Sequence, residues 1–114
     1  MRDVWTGGRP EEKREQPPGR RLILEDLDLP GRRIETPLEG PVVIGRDASA
    51  CHVVLTDPSV ARQQCRVYGR NGWVCNLSRT NITRVDGQPV LEDRALSGGC
   101  VLQMGRVRMR VGLA

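Results

Sequence analysis

Beyond residue 20 the chain is cut into short segments by turn pairs: Pro30-Gly31, Gly40-Pro41, Asn71-Gly72, Asp86-Gly87 and Gly105-Arg106. Proline removes a backbone donor and glycine reaches positive φ, so such pairs stop an element and reverse the chain. No segment between them keeps a helical period for three turns, and helices that short are unstable alone. The pattern is instead that of strands. "RLILEDL", "RRIETPL", "PVVIGR" and "CHVVL" supply the first four. Near the end, Val107, Met109 and Val111 alternate with Arg106, Arg108 and Arg110, which gives a strand one apolar face and one solvated arginine row. Ten to eleven short strands at this spacing predict an all-β sandwich.

The stretch "QQCRVYGRNGWVCNLS" reads as a hairpin whose loop length sets its register. A two-residue Asn71-Gly72 loop puts Cys65 and Val67 on one face and Trp73, Cys75 and Leu77 on the other. A three-residue loop, Arg70 to Gly72, pairs Val67 with Cys75 and Cys65 with Leu77, so the apolar residues share a face. The three-residue loop is the expectation. "RVDGQPV" predicts a second hairpin around Asp86-Gly87.

Residues 1–20 are rich in Gly, Pro, Glu and Arg and have no period, which reads as a flexible tail or linker before a domain at 21–114. Hydrophobic residues are 38% of the 114, with no Phe and only Trp5, Tyr68 and Trp73 aromatic, so the core must be aliphatic. So few aromatics argue against a nucleic-acid stacking platform. No apolar run approaches the ~20 residues of a membrane span, and none at the N-terminus resembles a signal peptide, so a cytoplasmic protein is expected.

The four cysteines have no Cys-x-x-Cys spacing and His52 is the single histidine, which leaves no expected metal site or cofactor. Buried free thiols are expected instead. Cys51 and His52 are adjacent, so on a strand they face apart and make no nucleophile–base pair. With no Gly-rich phosphate loop carrying Lys and no acid–base pair, the chain is not expected to be an enzyme.

Three inter-strand loops carry phosphate-capable donors: Gly45-Arg46; "DPSVARQQ" with Ser59 and Arg62; and "SRTNIT" with Ser78, Arg79, Thr80, Asn81 and Thr83. The formal charge is +4, and Lys13 is the only basic residue that is not Arg or His. Arginine suits forked recognition of phosphate. Around these loops residues 21–114 resemble the forkhead-associated (FHA) domain, a phosphothreonine-peptide-binding β-sandwich. The resemblance rests on "IGRDASACHVVLTDPSV", "VARQQCRV", "WVCNLSRTNITRVDGQPV" and "LSGGCVLQMG", in family order.

The resemblance implies that Arg46 contacts the phosphate, that Arg62 and Thr80 add hydrogen bonds, and that Asn81 holds the peptide main chain just after the phosphothreonine. Ser59 and Arg79 are auxiliary candidates. The implied partner is a phosphothreonine-containing protein or peptide, in signalling or assembly. The alternative is a phosphate-independent protein partner on the same scaffold. Three positions depart from the family pattern: Ala61 where it has Ser, Gln64 where it has His, and Ile82 where it has Gly. Ile82 raises the expectation of a reshaped third loop, because a β-branched residue resists positive φ. Gln64 retains a donor and an acceptor with which to brace the loops.

Overall fold

The computed structural model describes residues 20–114, so the tail expected at residues 1–20 lies outside it except for Arg20. Eleven strands and no helix occur among the described residues. They are β1 (Arg21–Asp26), β2 (Arg33–Pro37), β3 (Val42–Gly45), β4 (Val53–Val54), β5 (Cys65–Tyr68) and β6 (Trp73–Asn76). β7 (Arg84–Val85), β8 (Gln88–Pro89), β9 (Arg94–Ala95), β10 (Val101–Met104) and β11 (Val107–Leu113) complete them. One sheet has the order β2-β1-β11-β10-β7-β8 and the other β4-β3-β5-β6-β9. The two form the expected all-β sandwich.

Between the sheets lies an aliphatic core in which Leu22, Leu24, Ile44, Val67, Leu102 and Met109 are fully buried. Alternation in β11 works as the sequence implies: Val107, Met109 and Val111 are buried, while Arg106, Arg108 and Arg110 are exposed. Neither described aromatic enters the core, since Tyr68 is half-buried and Trp73 is 40% exposed. Asp86 and Gly87, both at positive φ, turn β7 into β8 as the Asp-Gly pair predicts. Among the cysteines Cys65 and Cys100 are buried, but Cys51 and Cys75 are only partly so.

The hairpin of β5 and β6 departs from the expected three-residue loop. Cys65 pairs with Asn76, Val67 with Val74 and Tyr68 with Trp73. Gly69 to Gly72 form the reversal, with the Gly72 N–H donating to the Gly69 carbonyl at 3.1 Å and both glycines at positive φ. Val74 is therefore fully buried, and Trp73, Cys75 and Leu77 lie on the outer side. The cost of this register is Asn76 on the inner side. Tertiary structure meets that cost: Asn76 Oδ1 accepts from the Thr83 N–H (3.0 Å) and hydroxyl (2.8 Å), and Nδ2 donates to the Ser78 carbonyl (2.7 Å). Burying an amide is tolerable once its donors and acceptors are paired.

Strand directions bring the loops 27–32, 46–52, 55–64, 77–83 and the Gly105-Arg106 turn to one end of the sandwich. All six site candidates lie in this cluster.

Candidate functional site

β3 delivers Arg46 to this end, and Gly45 is what lets the neighbouring loop close on it. A Cβ at position 45 would stand 2.2 Å from the Arg62 carbonyl oxygen, so only glycine fits. Across this contact the Arg46 N–H donates to the Ala61 carbonyl (3.0 Å) and the Asp47 N–H to that of Arg62 (3.2 Å). The Arg46 Nε–H donates to the Val60 carbonyl at 2.9 Å. One edge of the guanidinium is thus anchored, while the exposed side chain keeps its terminal nitrogens for an outside acceptor.

From the third loop, Asn81 Nδ2 donates to the Ser59 carbonyl at 2.6 Å. Arg46 and Asn81 are therefore tied to consecutive carbonyls of one loop, Val60 and Ser59. The Asn81 Oδ1 is buried without a partner, an unused acceptor next to that tie. Ser78 is buried rather than a surface donor: its Oγ accepts the N–H groups of Thr80 (3.2 Å) and Asn81 (3.1 Å) and so shapes the loop. Thr80 is exposed, with its hydroxyl 3.3 Å from that of Ser78.

Gln64 is the brace between the loops. Fully buried, it accepts from the Ala61 N–H at 3.0 Å and donates to the Asn81 carbonyl (3.1 Å) and the Thr83 hydroxyl (3.0 Å). Ile82 is 41% exposed and does not occupy positive φ, so the third loop turns without the left-handed residue that glycine would supply.

The auxiliary candidates differ in availability. The Ser59 hydroxyl donates to Asp57 (2.7 Å) and accepts from the Arg106 N–H (2.9 Å), which ties this loop to the β10–β11 turn. Arg79 is exposed. Among the described residues Arg46, Arg62 and Arg79 make no ion pair, whereas Arg106 and Arg108 pair with Asp57 and Asp28. The Asp47 carboxyl lies within electrostatic reach of this cluster and is held below the usual carboxylate range by hydrogen bonds from Ser49 and then by Arg62 and Arg46. Arg46, Arg62 and Arg79, the exposed Thr80 and the tethered Asn81 amide thus share one end of the sandwich, a set of groups whose chemistry suits an anion.

Cys51 donates to the Arg62 carbonyl at 3.0 Å, while His52 Nδ1 accepts from the Val43 N–H at 3.0 Å, so the two are committed separately. The described residues contain no group of three or more potential metal ligands and no helix able to cross a membrane. The brace at Gln64, flagged by residue type in the sequence, has partners that only the fold reveals. The inward role of Ser78 carries no sequence signal beyond its spacing before Thr80 and Asn81.

Comparison with known proteins adds to this geometry. The FHA domain family model matches residues 42–105. Among solved structures, an FHA domain from a study of phosphothreonine-dependent FHA domain interactions is 26% identical, with a TM-score of 0.71, covering 81% of this chain and 95% of its own. The FhaA FHA domain, solved in complex with the intracellular domain of Rv3910, is 27% identical, with a TM-score of 0.69 and coverage of 79% and 98%. The FHA domain of the CT664 protein from Chlamydia trachomatis, at 22% identity and a TM-score of 0.71, covers 81% and 96% and shares the fold. No curated protein matches in sequence.

Proposed function

The chain belongs to the FHA domain family, and from that premise we propose that it is a protein–protein interaction module that binds a phosphothreonine-bearing partner at the loop end. The observation that carries this reading is the attachment of Arg46 and Asn81 to the adjacent Val60 and Ser59 carbonyls. It fixes a forked cation and a two-sided amide at one place before any ligand arrives, which lowers the ordering cost of binding.

In this reading the free nitrogens of Arg46 take two phosphate oxygens, and Arg62 and the Thr80 hydroxyl take others. Asn81 holds the peptide main chain after the phosphothreonine, its amide positioned by the bond from Nδ2 to the Ser59 carbonyl. Arg79 contributes charge, and the Ser59 hydroxyl, already engaged with Asp57, acts through the loop. A relative studied for phosphothreonine-dependent interactions, at 26% identity, supports the ligand class. FhaA bound to an intracellular protein domain supports a protein partner. The four free thiols suit a reducing, cytoplasmic setting, and no cofactor or catalytic group is needed.

Ala61 supplies no side-chain donor, and one hydrogen bond to a charged group is worth ~1.5–3 kcal/mol. The site is expected to bind more weakly for that reason, but not to be silent. The test is calorimetric titration of a degenerate phosphothreonine peptide pool and its unphosphorylated counterpart, with Arg46→Ala as control. Binding that requires both phosphate and Arg46 supports the proposal. Capture of a protein partner that is indifferent to phosphatase treatment and to Arg46→Ala would replace it with the phosphate-independent scaffold, for which Ala61 and Ile82 speak.

A further inference from the structure

Residues 55–64, between β4 and β5, form no strand, yet this irregular segment holds both Arg46 and Asn81 in place. Backbone outside a sheet keeps one conformation only through specific bonds. Here those bonds start at Asp57. Asp57-Pro58-Ser59-Val60 is a β-turn closed by the Val60 N–H on the Asp57 carbonyl at 3.0 Å. Proline at its second position presets φ, and aspartate at its first bonds the backbone two residues on. Accordingly Asp57 Oδ1 accepts the Ser59 N–H (2.8 Å) and the Ser59 hydroxyl (2.7 Å). The last two carbonyls of this turn, Ser59 and Val60, are the ones that take Asn81 Nδ2 and Arg46 Nε.

The opposite sheet fixes this turn from outside. Arg106, at the β10–β11 turn, donates its N–H to the Ser59 Oγ at 2.9 Å, and its Nε lies 3.3 Å from Asp57 Oδ1. Beside it Gly105 has positive φ, and a Cβ there would stand 2.3 Å from the Ser59 carbonyl oxygen. Glycine therefore lets the β10–β11 turn close on the same carbonyl that holds Asn81. The Ser59 hydroxyl has a single hydrogen and Asp57 takes it, so none is left to donate to a phosphate oxygen. The Arg106 side chain is 72% exposed, and an ion pair so placed adds little by itself. The bonds of Ser59 and the close approach of Gly105 carry the arrangement.

We infer, resting on the phosphothreonine reading of the site, that Asp57, Ser59 and the Gly105-Arg106 turn are positioning residues: they touch no ligand and fix the two carbonyls from which Arg46 and Asn81 are aimed. Arg46 and Asn81 belong to different loops, 46–52 and 77–83. A displacement of this one turn therefore misdirects both halves of the grip, on the phosphate and on the peptide main chain.

The test compares the full isotope-labelled chain with Ser59→Ala, Asp57→Ala and Asp57→Asn. Arg108→Ala is the control, because it breaks the Asp28 ion pair on the same strand and leaves the Asp57–Val60 turn alone. The Arg46 Nε–H and Asn81 Nδ2 signals are first read by NMR without peptide. Both should shift and exchange faster with solvent in Ser59→Ala and Asp57→Ala. Asp57→Asn should stay near wild type, since its amide oxygen still accepts from Ser59, and Arg108→Ala should change neither signal. Calorimetric affinity for the phosphothreonine peptide pool should fall roughly three- to tenfold in Ser59→Ala and Asp57→Ala, with the requirement for phosphate intact. Unmoved side-chain signals in folded Ser59→Ala overturn the inference, and so do moved signals with unchanged affinity. A loss in Asp57→Asn as large as in Asp57→Ala also overturns it, because charge rather than the turn would then be the cause. A wild-type chain that binds no phosphothreonine peptide fails the ligand reading alone, and the signals recorded without peptide still decide the positioning.

Discussion

Two side chains decide how much of the proposed ligand site survives its departures from the family pattern. Gln64 replaces an imidazole with an amide, and the amide reaches both loops at hydrogen-bond distance. Truncating it leaves the Ala61 N–H, the Asn81 carbonyl and the Thr83 hydroxyl without that partner in a buried setting. Gln64→Ala is expected to destabilise the domain by about 2–4 kcal/mol, read by urea unfolding. Peptide binding should fall with it, because Asn81 loses its brace. Ala61 is the opposite case, a missing donor rather than a substituted one. Ala61→Ser is expected to tighten phosphothreonine-peptide binding by roughly tenfold, or ~1.4 kcal/mol, with no matching gain for unphosphorylated peptide. Equal calorimetric affinity of the two proteins would mean that no phosphate oxygen reaches position 61. The types at 61 and 64 are legible in the sequence. The partners of Gln64 beyond its own loop are not, because Asn81 and Thr83 lie 17 and 19 positions away.

At the scale of elements, the join between β3 and the loop before β5 positions Arg46, and it tolerates no side chain at its base. Gly45→Ala places a Cβ 2.2 Å from a backbone oxygen. One of the two segments must move, at an expected cost of at least about 2 kcal/mol, visible as a lower melting temperature together with weaker peptide binding. The β5–β6 hairpin makes a different prediction. Cys65 faces inward and burial pushes its thiol up to about 12, whereas Cys75 is on the outer face and only partly covered. A thiol reagent at pH 8 should modify Cys75 well before Cys65, as read by mass spectrometry of timed digests. Protection of both to the same degree would restore the three-residue loop that the sequence favoured. That loop was attractive because it gathered the apolar residues and ignored Val74. The fold instead buries Val74 and satisfies Asn76 through Thr83, a trade that no local pattern displays.

Across the whole molecule, surface carboxylates tie segments together at both ends of the sandwich. Hydrogen bonds from Arg108, Ser49, Ser59 and Tyr68 hold the carboxyls of Asp28, Asp47, Asp57 and Asp93 below their ordinary value of 3.8. A depressed folded-state value means stabilisation present above the unfolded value and lost as pH falls through the folded one. Thermal melts should therefore change little from pH 7 to 5 and drop below about pH 4, less steeply in Asp57→Asn. A melting temperature that rises on acidification would refute this. By itself the sequence determined the class of fold, the aliphatic core and the loops that carry the site candidates, because period-two alternation and turn residues act over neighbouring positions. Only the tertiary structure decided the register of β5 and β6 and the aim of Arg46 and Asn81. Those outcomes depend on bonds between residues 7, 14 and 22 positions apart, whose partners exist only once the sheets have packed.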